Sequence, residues 1–130
     1  MGKPKRLLQI YAIIINVVAV IVAIICISGL VSNLLDAMDP IHASRTADNL
    51  SSFENFKMDA LKSVNKDQAY VPSDGEIQSM YEAARADKIS KIMHGVKRNS
   101  ISNAIVLLIS LVLFTTHYRL MRKMESESDS

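Results

Sequence analysis

The stretch from Leu7 to Leu35 constrains this chain more than any other. It reads LLQIYAIIINVVAVIVAIICISGLVSNLL and contains no Asp, Glu, Lys or Arg. Eighteen or more apolar residues without charge mark a candidate transmembrane helix. As a helix the run reaches roughly 40 Å, enough for the hydrocarbon and part of a headgroup layer. A second apolar run, Ile101–Thr116, is expected to make the return. The expected fold is all-α: two antiparallel transmembrane helices with a helical extracytoplasmic hairpin, the second helix long and continuous into the membrane. The expected divisions are a basic cytoplasmic anchor over 1–6, a first span over 7–35, an extracytoplasmic helical segment over 36–100, a second span over 101–118 and a cytoplasmic tail over 119–130, disordered at its end.

The placement of charge sets the expected orientation. Lys3, Lys5 and Arg6 precede the first run, and Arg119, Arg122 and Lys123 follow the second. Basic residues beside a span favour the cytoplasmic face and its anionic lipid. These six are the expected membrane anchors, with both termini inside. The segment 36–100 carries nine Lys or Arg against ten Asp or Glu, close to neutral. Lys97 and Arg98 flank the outer end of the second span, but in a long connection such charge counts for less. The expected location is a plasma membrane, that of a bacterial inner membrane, with the lipid bilayer as first partner.

Other readings of the N-terminus fit less well. The apolar run is much longer than a signal-peptide core and lacks an A-x-A-like site. Ile25 stands before Cys26 where a lipobox needs a small residue. Arg6 replaces the Ser or Thr that myristoylation of Gly2 requires. Cys26 is the single cysteine, so no intrachain disulfide staples the outer segment.

The first span holds a finer pattern. Ala12, Asn16, Ala19, Ala23, Cys26, Leu30 and Asn33 recur at intervals of four and three, the seam of a left-handed helix pair. Most are small or polar, whereas the rest of the run is Ile, Val and Leu. Helices in bilayers associate through close small-residue contacts and interhelical hydrogen bonds. On the second span Asn103, Ser110 and His117 recur every seven residues. The expected helix–helix interface is therefore Ala12, Asn16, Ala19, Ala23 and Cys26 against Asn103, Ser110 and His117. With Gln9 and Tyr118 taken as the inner edge, Asn16 falls level with Ser110 or Leu111, and Asn103 near Ala23.

Outside the spans, Asp39-Pro40 disfavours helix at Asp39 and predicts the end of the first helix nearby. The spacing of Leu50, Phe53, Lys57 or Phe56, Ala60 or Leu61, and Val64 predicts an amphipathic helix over 46–64, followed by a connector over 65–72. Ser73-Asp74-Gly75-Glu76 is a capping box, with Ser73 as N-cap and Glu76 at the third helical position. One long helix is expected from Asp74 to about Arg122, with Gly95 its weakest point. Leu50, Phe53 and Leu61 are expected to pack on Ile77, Tyr81 and Ala84.

Little in the chain points to catalysis, and no enzyme activity or cofactor is expected. His42, His94 and His117 are far apart, with no i, i+4 zinc pair. No phosphate loop or nucleophile elbow occurs. His117, Met121 and Met124 share one helix face that would suit a soft ion, but an amphipathic helix end, with Met toward lipid, is the better account and no metal is expected. Asn49-Leu50-Ser51 matches a glycosylation sequon, a three-residue pattern that arises readily by chance. The basic residues are juxtamembrane, so nucleic acid is not an expected partner. The expected function is a small non-enzymatic membrane subunit or regulator that associates with itself or with a larger membrane protein. The alternative is a sensory input module. The layout, a helical outer segment between two spans, resembles the front end of bacterial chemoreceptors and sensor kinases in architecture alone.

Overall fold

The computed structural model describes residues 3–43, 49–64 and 70–127. Helix accounts for 89% of the fold, with no strand among the described residues. The elements are α1 (Lys3–Met38), a 3-10 turn (Asn49–Ser51), α2 (Phe53–Lys62) and α3 (Asp74–Ser126). Helices α1 and α3 are long and apolar enough to cross a membrane. The chain divides into two compact units, Met1–Ser32 with Arg98–Ser130, and Asn33–Lys97.

The ends of the helices follow from local chemistry. Helix α1 stops at Met38, immediately before Asp39-Pro40. The Asp39 amide still donates to the Leu35 carbonyl, but Pro40 has no N–H with which to continue the ladder. The His42 ring then bonds both carboxylate oxygens of Asp39, at 2.9 and 2.8 Å. That hydrogen bond holds the Asp39 carboxyl below its ordinary pKa. Helix α2 is shorter than its spacing predicts. Ser52 is extended at φ −140°, ψ 129°, so the helix proper begins at Phe53, and Leu50 belongs to the 3-10 turn before it. The first residues expected in that helix, 46–48, and most of the connector lie outside the described residues, as does the tip of the tail.

At the start of α3 the capping box forms as its spacing predicts. The Ser73 amide donates to Glu76 Oε2 at 2.8 Å, and the Glu76 amide donates to Ser73 Oγ at 3.3 Å. The Tyr70 hydroxyl and the Ser73 amide and hydroxyl all stabilise the charged form of Glu76, and hold its carboxyl below the ordinary range. The folded state therefore binds fewer protons here than the unfolded chain in mild acid. The contribution of Glu76 is complete above the ordinary carboxylate range and fades as pH drops through the lowered value. Ser73→Ala should cost about 1 kcal/mol in helix stability. It should also flatten the acid limb of the stability profile, measured by circular dichroism across pH 3–6; an unchanged limb would show that the box is idle.

Within the unit Asn33–Lys97, an aromatic cluster holds α2 to the first turns of α3. The Tyr81 ring lies 5.6 Å from that of Phe53 and 5.5 Å from that of Phe56. Its hydroxyl donates to the Leu50 carbonyl at 3.0 Å. Ile77, one turn earlier, is 1% exposed. Lys57 closes the edge with an ion pair to Asp74 at 2.8 Å, which raises the Lys57 pKa. Ala84 and Leu50 are half-buried. Leu61 departs from its expected packing role and is 39% exposed. The inward face of α2 runs through Phe53, Phe56, Lys57 and Ala60, and at 100° per residue Leu61 falls on its rim. Gly95 does not interrupt α3.

Candidate functional site

The candidate site lies in the unit formed by Met1–Ser32 and Arg98–Ser130, where α1 meets α3. Along α1 the buried residues are Ala12, Asn16, Ala19, Cys26 and Asn33. All five fall on the four-and-three seam, and the two remaining seam members, Ala23 and Leu30, are half-buried. The large aliphatic residues between them are outward: Ile24 is 62% and Ile25 64% exposed. On α3, Ser110 and Met124 are buried, and Asn103, Leu107, Phe114, His117 and Met121 are half-buried. These seven positions repeat the same intervals of four and three from 103 to 124.

Backbones come close where small residues allow it. The Ser110 hydroxyl donates across the pair to the Ala19 carbonyl, a polar group that α1 already uses in its own ladder. A carbonyl oxygen has two lone pairs, so it accepts both. At Gly29 a Cβ would stand 2.5 Å from Asn103 Nδ2, so the absence of a side chain is what admits the amide. The Tyr11 ring lies 5.6 Å from that of His117, whose Nδ1 donates to the Leu113 carbonyl at 2.8 Å. Lys5 and Glu127 stand 3.9 Å apart, both about half exposed, a contact of little energetic consequence.

The register differs from the expected one by three residues at Ser110 and by six at Asn103. Ser110 bonds opposite Ala19 rather than at the level of Asn16, and Asn103 meets Gly29 rather than Ala23. The offset grows along the pair: Tyr11 and His117 meet within about a residue of the expected level, whereas the contact at Gly29 lies well beyond it. Gly29 escaped the reading of the sequence. The signal that would have found it is its place three residues after Cys26 and four before Asn33, on the same face as Leu30.

Asn16 is buried, and its Oδ1 has no hydrogen-bond partner among the described residues. A buried acceptor left unpaired costs about 1–3 kcal/mol, while interhelical bonds in bilayers average only about 0.6 kcal/mol. Asn16→Leu should therefore leave the thermal stability of the purified chain unchanged or raise it by up to about 1 kcal/mol, read as a melting curve in detergent. A loss of more than 1 kcal/mol would mean that Asn16 is satisfied by a group outside this chain.

Shallow apolar crevices flank the Ser110–Ala19 bond on both sides. One is walled by Ile15, Val22, Val106 and Ile109, the other by Ala23, Ile24, Leu111 and Phe114. At the end of α3, Arg119, Arg122 and Lys123 are exposed and form no ion pair among the described residues. Arg6 is exposed too, and the side chain of Lys3 lies outside the described residues. No group of three His, Cys, Asp or Glu that could hold a metal occurs among the described residues. Compared with known protein families, with curated proteins and with solved structures, the chain matches none.

Proposed function

We propose that this chain is a small, non-enzymatic integral membrane protein whose two spans pair antiparallel, and that it serves as a subunit or regulator of a larger membrane assembly. The observation that carries the reading is the inversion of side-chain placement along α1 and α3. On α1 the inward positions are mainly alanine, asparagine, cysteine and glycine, they meet Asn103 and Ser110 among larger residues of α3, and most isoleucine, valine and leucine side chains of both helices lie outside. Water would penalise that outer surface at about 25 cal/mol per Å2, whereas lipid chains are as apolar as leucine. The pairs Lys5–Glu127, Tyr11–His117, Ala19–Ser110 and Gly29–Asn103 descend on one helix as they rise on the other, which supports the antiparallel arrangement. The basic residues near both ends of the apolar pair support a cytoplasmic side for both termini.

The chain's own α3 occupies the seam. Association with a second copy or a larger protein therefore falls to the apolar crevices on its flanks or to the unit built around Tyr81. The reading is tested by extracting membranes with alkaline carbonate, then purifying the chain in mild detergent at native levels. Retention in the membrane pellet and a stoichiometric complex are expected. A chain in the supernatant would overturn the bilayer placement; a monomer alone would overturn the subunit role.

A second reading, a sensory input module, is favoured by one observation: α3 runs as a single helix from Tyr81, which meets α2, to the residues that meet α1. A small molecule that shifts the melting of the full chain in detergent would favour it over the subunit reading.

A further inference from the structure

One face of α3 borders the seam at Phe114, turns away from α1 beyond it, and is not purely apolar. Phe114 and Tyr118 stack with ring centroids 5.8 Å apart and planes 11° from parallel. Beside them an open groove continues along Thr115, Arg119, Arg122 and Lys123 to Ser126. The groove is on the side of α3 turned away from α1, since His117, Leu120, Met121 and Met124 take the inward positions. Its upper end is aromatic and its lower end carries three cations within about one helical turn. No carboxylate lines it, and none of the three cations has an ion pair among the described residues. The aliphatic hydroxyls in the groove are already committed: Thr115 donates to the Leu111 carbonyl and Ser126 to that of Lys123.

We infer that this groove is a binding site for the headgroup of an anionic phospholipid, whose phosphate is held by Arg119, Arg122 and Lys123 and whose glycerol and upper acyl chain lie against Tyr118 and Phe114. The inference rests on the bilayer placement proposed above. The charge balance is what commits the groove to this occupant. Guanidinium groups match phosphate oxygens in paired hydrogen bonds, so unpaired arginines at the foot of an apolar helix are complementary to a lipid phosphate. Aromatic rings at the same level suit the boundary between headgroup and hydrocarbon. A zwitterionic lipid brings its own cation to the same place and loses that advantage. A peptide or a free phosphate would use the basic end but leave the stacked rings without a role.

The test uses the full chain reconstituted in vesicles of equal parts phosphatidylcholine and phosphatidylglycerol, then released for native mass spectrometry of retained lipid. Each cation near an anionic lipid is worth about fivefold in occupancy, so the retained lipid should favour phosphatidylglycerol by tenfold or more. R119Q/R122Q/K123Q should fall to within about twofold of parity, while R119K/R122K keeps most of the preference. R98Q, at the opposite end of the same apolar stretch, should leave the preference intact. Parity for the unaltered chain, or equal losses for R98Q and the triple variant, overturns the site while leaving the bilayer placement standing. Failure of the chain to remain with the vesicles overturns the placement, and the site with it.

Discussion

Ala19→Leu should separate α1 from α3. Ala19 is 4% exposed, and its carbonyl receives the Ser110 hydroxyl. Three added carbons at this buried point crowd the contact that brings Ser110 to the Ala19 carbonyl, and the shallow crevices beside it admit them only if the helices move apart. Overpacking a close contact costs about 1–3 kcal/mol, and here the bond from Ser110 is lost as well. In a Cys26→Ala background, cysteines placed at Tyr11 and His117 should be joined within one chain by a short bis-maleimide, since the native rings lie 5.6 Å apart. The yield should fall at least several-fold in Ala19→Leu and persist in Ala19→Gly. Equal yields in all three would remove Ala19 from the interface and take the seam with it.

The second large effect is expected from Tyr81→Ala. Tyr81 touches both phenylalanines of α2 and anchors the 3-10 turn through the Leu50 carbonyl. Aromatic pairs contribute about 0.5–1.5 kcal/mol each beyond the area they bury, and a hydrogen bond about 1 kcal/mol. The loss of about 3 kcal/mol is large for a unit whose principal fully buried large side chain is Ile77. Tyr81→Phe should lose only the hydroxyl contribution. Limited proteolysis of the full chain in detergent provides the readout: rapid cleavage within 49–64 for the alanine variant, and near-native resistance for the phenylalanine variant. Resistance in both would mean that α2 is held by other contacts.

The parts of this molecule that could be read from sequence are those fixed by neighbouring residues. Ser73 and Glu76 are three apart and satisfy each other's amides, so the start of α3 was visible. Pro40 lacks a donor, so the end of α1 was visible as well. The seam could be read because the spacing of Ala12, Asn16, Ala19 and Cys26 fixes which face they share, and those are the positions that are buried. The spacing says nothing about the height of one helix against the other. That height is set where Gly29 admits Asn103 and where Ser110 finds a backbone carbonyl, both contacts between residues more than seventy positions apart in sequence. The same limit applies to Leu61. Its apolar side chain fits the period of α2, but only the direction from which Tyr81 approaches decides that the inward face stops short of it.

The composition of the two long helices has an electrical consequence. Between Leu7 and Leu35, and again between Ile101 and Thr116, no Asp, Glu, Lys or Arg occurs. Moving one elementary charge through a 100 mV potential involves about 2.3 kcal/mol, but a seam of alanine, glycine and amides has no such charge to move. In the proposed bilayer placement, the grip of α1 on α3 should therefore be the same in energised and in discharged vesicles, and any response to the membrane potential would have to come from the charged segments outside the two apolar runs.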